Sequence, residues 1–165
     1  MAKDREKLFQ AALKDFGPML NRIASAYEFD PELRRDLVQE MALALWRALP
    51  KFEGRASLKT FAARIAHYRG VDHVAREKRR PRTTSQFPDI PEPGPGLDVE
   101  TDRKQQAQVL IKAVQKLPLP LRQVATLALE GFEAREIGEA LGISANNASV
   151  RLARAKATLK KELGK

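Results

Sequence analysis

The sequence predicts an all-α protein, built as two small helical domains joined by a flexible acidic linker. Three observations carry this. Apolar residues recur at helical spacing through both halves of the chain. No stretch shows the two-residue alternation of a strand. Between the halves, "TTSQFPDIPEPGPGLDVETD" (residues 83–102) holds four prolines, two glycines and five acidic residues, with no Lys or Arg. The expected boundaries are therefore 1–82, 83–102 and 103–165.

The first helix is expected from the apolar series Leu8, Ala12, Phe16, Leu20, Ile23 and Tyr27, with a bend at Gly17-Pro18. The second begins at "DPEL". Asp30 can cap it, Pro31 suits its first turn, and Leu33, Leu37, Met41, Ala44, Leu45 and Ala48 form a stripe that stops at Pro50. After the loop "KFEGRA", Ser57 can cap a third helix, with Leu58, Phe61, Ile65, Tyr68 and Ala75 or Val74 on one face, ending in the cationic run "REKRRPR". Residues 83–102 would span on the order of 60 Å if extended and roughly 25 Å as a loose coil. Beyond them Leu110, Val114 and Leu117 start a second helical set, broken by "LPLP", Gly131 and Gly142.

The totals narrow the chemistry. The 165-residue chain has no cysteine, so disulfides and thiolate metal sites are excluded. His67 and His73 stand six apart, about 120° from coincidence on a helix, which is too far for a shared metal. No nucleophile motif or glycine-rich phosphate loop is present, so neither an enzyme nor a cofactor is expected. The longest apolar run, Met41 to Trp46, is too short to cross a bilayer, and the charged "MAKDREKLFQ" is unlike a signal peptide. A cytoplasmic protein without membrane insertion is expected. A net charge of +9 and a pI near 10.0 suit either a nucleic-acid partner or a merely basic soluble protein.

Charge placement separates these. "EAREIGEALGIS" followed by a helix has the grammar of a helix-turn-helix. Ile137 and Leu141 point inward, Gly142 makes the tight exit, Ile143 plugs the turn and Ser144 caps the next helix. On that helix Ala148, Leu152, Ala155 and Leu159 form the buried row. Opposite lie Asn146, Val150, Ala153, Arg154, Ala157 and Lys161, with Asn147 close by and Arg151 at the flank. Amides, small apolar groups and an arginine match what the edges of a major groove offer, whereas a solvated face is usually Lys and Glu. Lys156, Lys160 and Lys161 are placed for phosphates.

In the N-terminal half, Asp36, Gln39, Glu40, Leu43 and Arg47 occupy the side of the second helix away from its stripe. Acids beside an apolar patch fit a basic protein partner, and equally a solvated face.

The run "DLVQE", then "LWRALPKFEGRASLKTF", then "RIA", with Asp72 and Arg76 following, closely resembles region 2 of the bacterial RNA polymerase sigma factors of the extracytoplasmic-function (ECF) group. "LPLPLRQVATLALEGFEAREIGEALGIS" continuing into "SVRLARAKATL" resembles their region 4. The resemblance implies that Asp36, Gln39, Glu40, Leu43 and Arg47 grip the clamp helices of the polymerase β′ subunit. It implies that the loop and helix start, Lys51 to Phe61, bind the non-template strand of the minus-10 element. Lys51, Phe52, Arg55, Lys59, Thr60, Phe61, Arg64, Arg76 and Arg79 are the expected contacts there. Phe52 and Phe61 serve either as stacking platforms or as core. Ser144, Asn146, Asn147, Ser149, Val150, Arg151, Ala153 and Arg154 would read the minus-35 element. The linker would run toward the active-site cleft, region 4 would meet the β flap, and an anti-sigma factor is a further implied partner. The free protein is expected to be monomeric.

The chain departs from the family pattern at several points. Tyr68 stands where an asparagine is frequent, and His67 where a basic residue is common. Arg64 and Ile65 replace the tryptophan pair of housekeeping sigma factors, and Ala148 a usual valine. The alternative, a helix-turn-helix repressor with an N-terminal dimerisation domain, would bind its operator as a dimer without polymerase.

Overall fold

The computed structural model describes residues 2–79 and 99–164. Among them are seven α-helices and no strand. In chain order these are α1 (Ala2–Ser25), α2 (Pro31–Ala48), α3 (Leu58–Arg79), α4 (Val99–Gln115), α5 (Leu119–Leu129), α6 (Ala134–Leu141) and α7 (Ala145–Leu163), with a 3-10 turn at Leu49–Lys51 after α2. Most of the expected linker, residues 83–98, lies outside the described residues. Its last four residues, 99–102, are already helix, so α4 opens earlier than the acidic composition implied.

Helices α1, α2 and α3 pack on one another, and α4, α5 and α6 surround α7 or its neighbours. α1 starts six residues before the apolar pattern does and continues through Pro18 to Ser25, with the Asn21 amide donating to the Gly17 carbonyl at 3.2 Å. Proline removes one backbone donor from a helix, and α1 nevertheless carries Ala12, Leu20 and Ile23 into the core. The start of α2 is as its sequence requires. The Asp30 carboxylate accepts from the Glu32 N–H at 3.2 Å, Pro31 opens the helix, and Leu37, Met41 and Leu45 are fully buried.

On α3 the expected Leu58, Phe61 and Ile65 pack partly buried against the core, while a second row lies deeper. That row comprises the small and polar residues Thr60, Ala63, Ala66, His67, Gly70 and His73. Phe61 and Ile65 are only half-buried, and Tyr68 is exposed. The reason is close approach. A Cβ on Gly70 would overlap the ring of Tyr27, so the small row lets α1 and α3 come together where large side chains would hold them apart.

Two histidines pin this contact. His67 Nδ1 lies 2.5 Å from the Tyr27 hydroxyl, and His73 Nε2 lies 2.8 Å from the Glu28 carboxylate. Burial lowers the pKa of His67 from 6.5 to about 4 and raises that of Tyr27. A neutral imidazole can accept the Tyr27 proton at Nδ1, and burial opposes charging it. The unfolded chain binds a proton near pH 6.5 and the folded chain only near pH 4. Stability from this group is therefore constant above neutrality, falls between these values, and is level again below them. The loss should total about 3 kcal/mol at most, since solvent screening of the partly exposed ring takes some of it away. Denaturant titrations of the wild type and His67→Gln from pH 8 to 4 should show their stability difference narrowing by that amount. Parallel curves would contradict it.

Candidate nucleic-acid interface

The helix-turn-helix is built from short-range chemistry. Gly142 adopts φ 73°, the left-handed conformation that ends α6 without strain. The Ser144 hydroxyl then accepts from the Asn147 N–H at 3.0 Å, capping α7. Gly138 faces the turn so closely that a Cβ there would stand 2.6 Å from the Ile143 carbonyl oxygen. Its small size is a packing requirement that offsets its low helix propensity.

α7 buries Ala148 and Ala155 completely, with Leu152 and Leu159 half-buried beside them. Asn146, Asn147, Ser149, Val150, Ala153, Arg154 and Ala157 are all exposed, as is the capping Ser144. Val150 keeps 42% of its surface in solvent, an uncovered β-branched side chain amid polar neighbours. Arg151 is half-buried and donates from Nε to the Asn147 side-chain oxygen at 3.2 Å. That bond holds the Asn147 side-chain oxygen. Lys156, Lys160 and Lys161 line the flank and are exposed. The structure brings the predicted reading set together on one surface.

The second predicted set lies on α2. Asp36, Gln39 and Arg47 are exposed, and Leu43 presents 49% of its surface among them. Glu40 is half-buried because its carboxylate pairs with Arg76 of α3 at 2.8 Å, and Asp72 lies 3.5 Å from the same guanidinium. Arg76 was expected to face nucleic acid. Here it ties the acidic face of α2 to α3.

The third set is divided. Lys51 and Arg55 are exposed, with Arg55 3.1 Å from Glu53, and Gly54 supplies a left-handed turn between them. Arg64 and Arg79 are also exposed, and the Arg64 guanidinium lies 5.6 Å from the Tyr68 ring centre. Phe52 and Phe61 pack against each other in a tilted pair, with ring centres 4.9 Å apart, and both are half-buried, so packing occupies these rings. Thr60 is a correction. It is only 3% exposed, its hydroxyl accepts from Ser57 at 3.0 Å, and its N–H donates to the Ser57 oxygen at 3.1 Å. Its neighbourhood in sequence suggested a DNA contact, but it belongs to the cap of α3.

Lys59 is taken up inside the molecule. Its ammonium donates to the Glu130 carbonyl at 2.6 Å and sits 4.8 Å from the Phe132 ring centre. The carboxylate of Glu130 in turn holds Arg22 through a two-point ion pair. Arg122 donates to the Ala26 carbonyl at 2.6 Å and lies over Phe29. None of these contacts was expected from sequence. Each joins residues about 70 or more positions apart, and no local pattern marks them.

Residues 13–80 match the family Sigma-70 region 2, and residues 107–159 match Sigma-70, region 4. Together the two matches take in nearly three quarters of the chain. The chain is 32% identical over 125 residues to "ECF RNA polymerase sigma factor SigF" of Caulobacter vibrioides, covering 73% of this chain and 65% of that one. It is 39% identical over 59 residues to "ECF RNA polymerase sigma factor SigC" of Mycobacterium tuberculosis, covering 36% of this chain. It spans about a third of the length of the mycobacterial relatives that it matches. Among solved structures, the fold matches the sigma factor RpoE in complex with the anti-sigma factor NepR from Bartonella quintana. There the TM-score is 0.74 and the identity 20%, over 96% of this chain and 98% of that one. It also matches CnrH in complex with the cytosolic domain of CnrY, with a TM-score of 0.69 and 22% identity, over 96% and 89% of the two chains. With both regions present in family order on the helices just described, the chain belongs to the sigma-70 family of RNA polymerase sigma factors, in its extracytoplasmic-function group.

Proposed function

We propose that this protein is an alternative sigma factor, which binds core RNA polymerase and directs initiation at one promoter class. The observation that carries this most is the exposed face of α7. Asn146, Val150, Ala153 and Arg154 stand together beyond a well-formed turn, where groove edges can meet them. The acidic and apolar face of α2, Asp36, Gln39, Glu40, Leu43 and Arg47, is assigned to the β′ clamp helices. Lys51, Arg55, Lys59, Arg64 and Arg79 are assigned to the minus-10 element, and the α4–α7 half to the minus-35 element and the β flap. In domain terms residues 1–82 act as region 2 and 103–165 as region 4. The factor carries out no chemistry of its own. It would work in the cytoplasm, where polymerase is, and no helix among the described residues is long and apolar enough to cross a membrane. RpoE from Bartonella quintana is bound to an anti-sigma factor in its solved structure, and a partner of that kind is part of this reading. The family membership does not favour the repressor alternative.

The division of labour on α7 is testable. Arg154→Ala should cost about 1–3 kcal/mol in promoter affinity and relax selectivity at one or two minus-35 positions. Lys160→Ala should weaken all sequences alike and lower the salt dependence. Holoenzyme binding to a promoter library separates the two outcomes. Identical selectivity profiles for both variants would remove Arg154 as a base reader.

A further inference from the structure

One side of α3 faces solvent with side chains that differ from those of a merely solvated surface. The helical period brings Arg64, Tyr68, Val71, Ala75 and Arg79 into one sector, and all five are exposed. Tyr68 keeps 52% of its surface in water. A single exposed apolar group needs no explanation, but this ring is held in place. Arg64 donates to the Tyr68 hydroxyl from Nε at 3.4 Å and from Nη2 at 3.3 Å, and its guanidinium lies 5.6 Å from the ring centre. The buried His67 ring, itself tied to Tyr27, lies 5.7 Å from the Tyr68 ring at a 45° tilt. These contacts restrict the ring and still leave half of it uncovered. Ordering an exposed side chain costs conformational entropy and gains the fold little apolar burial. The same ordering favours a flat partner, because the ring loses less freedom on binding.

The surroundings select the charge of that partner. Arg64 and Arg79 share the sector with the ring, and Arg69 and Lys78 are exposed at its edges. Asp72 also borders it, but its carboxylate lies 3.5 Å from Arg76, which in turn holds Glu40. Phe61, two turns earlier on α3, has its ring committed to Phe52. We propose that Tyr68, braced by Arg64, is a specificity-determining residue on which one unpaired base of the opened promoter strand stacks. The proposal deepens the sigma-factor reading and rests on it. A base drawn from the duplex loses its stacking neighbours, and an ordered ring returns part of what was lost. Every base has a flat face, so a ring accepts any of them, whereas a group that pairs with base edges would select one. Selectivity at this one position should therefore be shallow, with Arg64 and Arg79 taking the flanking phosphates.

The test uses holoenzyme assembled from core polymerase and the full chain as wild type, Tyr68→Phe, Tyr68→Leu or Tyr68→Ala. The promoter is one located by transcript mapping, prepared intact and with a single abasic site at each minus-10 position of the non-template strand in turn. Permanganate modification of unpaired thymines reads promoter opening, and run-off transcription reads its product. On the intact promoter Tyr68→Ala and Tyr68→Leu should lose roughly fivefold to a hundredfold in open complex, the worth of one base stacked on one ring. Tyr68→Phe keeps the ring and should stay within about twofold of the wild type. At one abasic position the wild type should fall to the level of Tyr68→Ala, because both variants then lack the same contact. Core binding and thermal melting should not change, since the ring is half outside the fold. Equal opening by the wild type and Tyr68→Ala would overturn the proposal. So would a Tyr68→Ala defect that persists at every abasic position, or full activity of Tyr68→Leu, which offers bulk without a flat face. A loss of core binding in Tyr68→Ala would place the ring against polymerase and reject the DNA contact. If wild-type holoenzyme opens no promoter at all, the sigma-factor reading itself fails.

Discussion

Asp36→Ala/Glu40→Ala should keep its melting temperature and helical signal while losing most of its affinity for core polymerase. Both carboxylates project from α2 away from Leu37, Met41 and Leu45, so their removal opens no cavity. Glu40 does give up its pair with Arg76, but both side chains are more than 40% exposed. An exposed pair of this kind is screened by water and contributes little to the fold. On a basic partner the same charges become desolvated on assembly, and their loss there costs on the order of 2–5 kcal/mol. That corresponds to an affinity drop of roughly thirtyfold to several thousandfold. Pull-down at moderate salt and run-off transcription should both fail, while thermal melting stays within about 1 kcal/mol of the wild type. Undiminished core binding would show that this face is only solvated.

The opposite face of the same helix should behave in the reverse way. Met41 is fully buried on α2, which packs on α1 and α3, and is among the largest side chains with no exposure. Met41→Ala removes its packing and leaves a cavity that helices can only partly fill. The expected cost is about 2–5 kcal/mol, a large part of the roughly 5–15 kcal/mol that holds a domain folded. Urea titration should show the midpoint falling, and the residual folded fraction should still bind core enzyme. A variant that binds polymerase poorly yet unfolds like the wild type would mean that Met41 acts at the interface rather than in the core.

How much of this was legible in the sequence depended on how local the causes were. The start of α2 was readable because Asp30 and Pro31 act within one turn, and its stripe because burial follows the helical period. The turn before α7 was readable for the same reason, from Gly142 and Ser144. The large apolar residues of α3 do pack against the core, but its deepest row is not visible in them. The helix is buried along Ala63, Ala66 and Gly70, and small residues announce close packing only once a neighbour such as Tyr27 is placed. Thr60 looked like part of a DNA-facing loop because its bond to Ser57 cannot be told from a free hydroxyl in a string of letters. The Lys59–Glu130 and Arg22–Glu130 contacts depend on how two halves dock, over separations of 71 and 108 residues. The exposure of the α2 and α7 faces was legible, since an exposed face answers to its own helix alone.

The most direct test adds purified protein to core polymerase on fragmented genomic DNA and maps the 5′ ends of the transcripts. A sigma factor should produce a small set of defined starts, absent with core alone, that share one element near minus 10 and another near minus 35. No starts above the core-alone background, together with tight duplex binding by the protein in the absence of polymerase, would contradict the account.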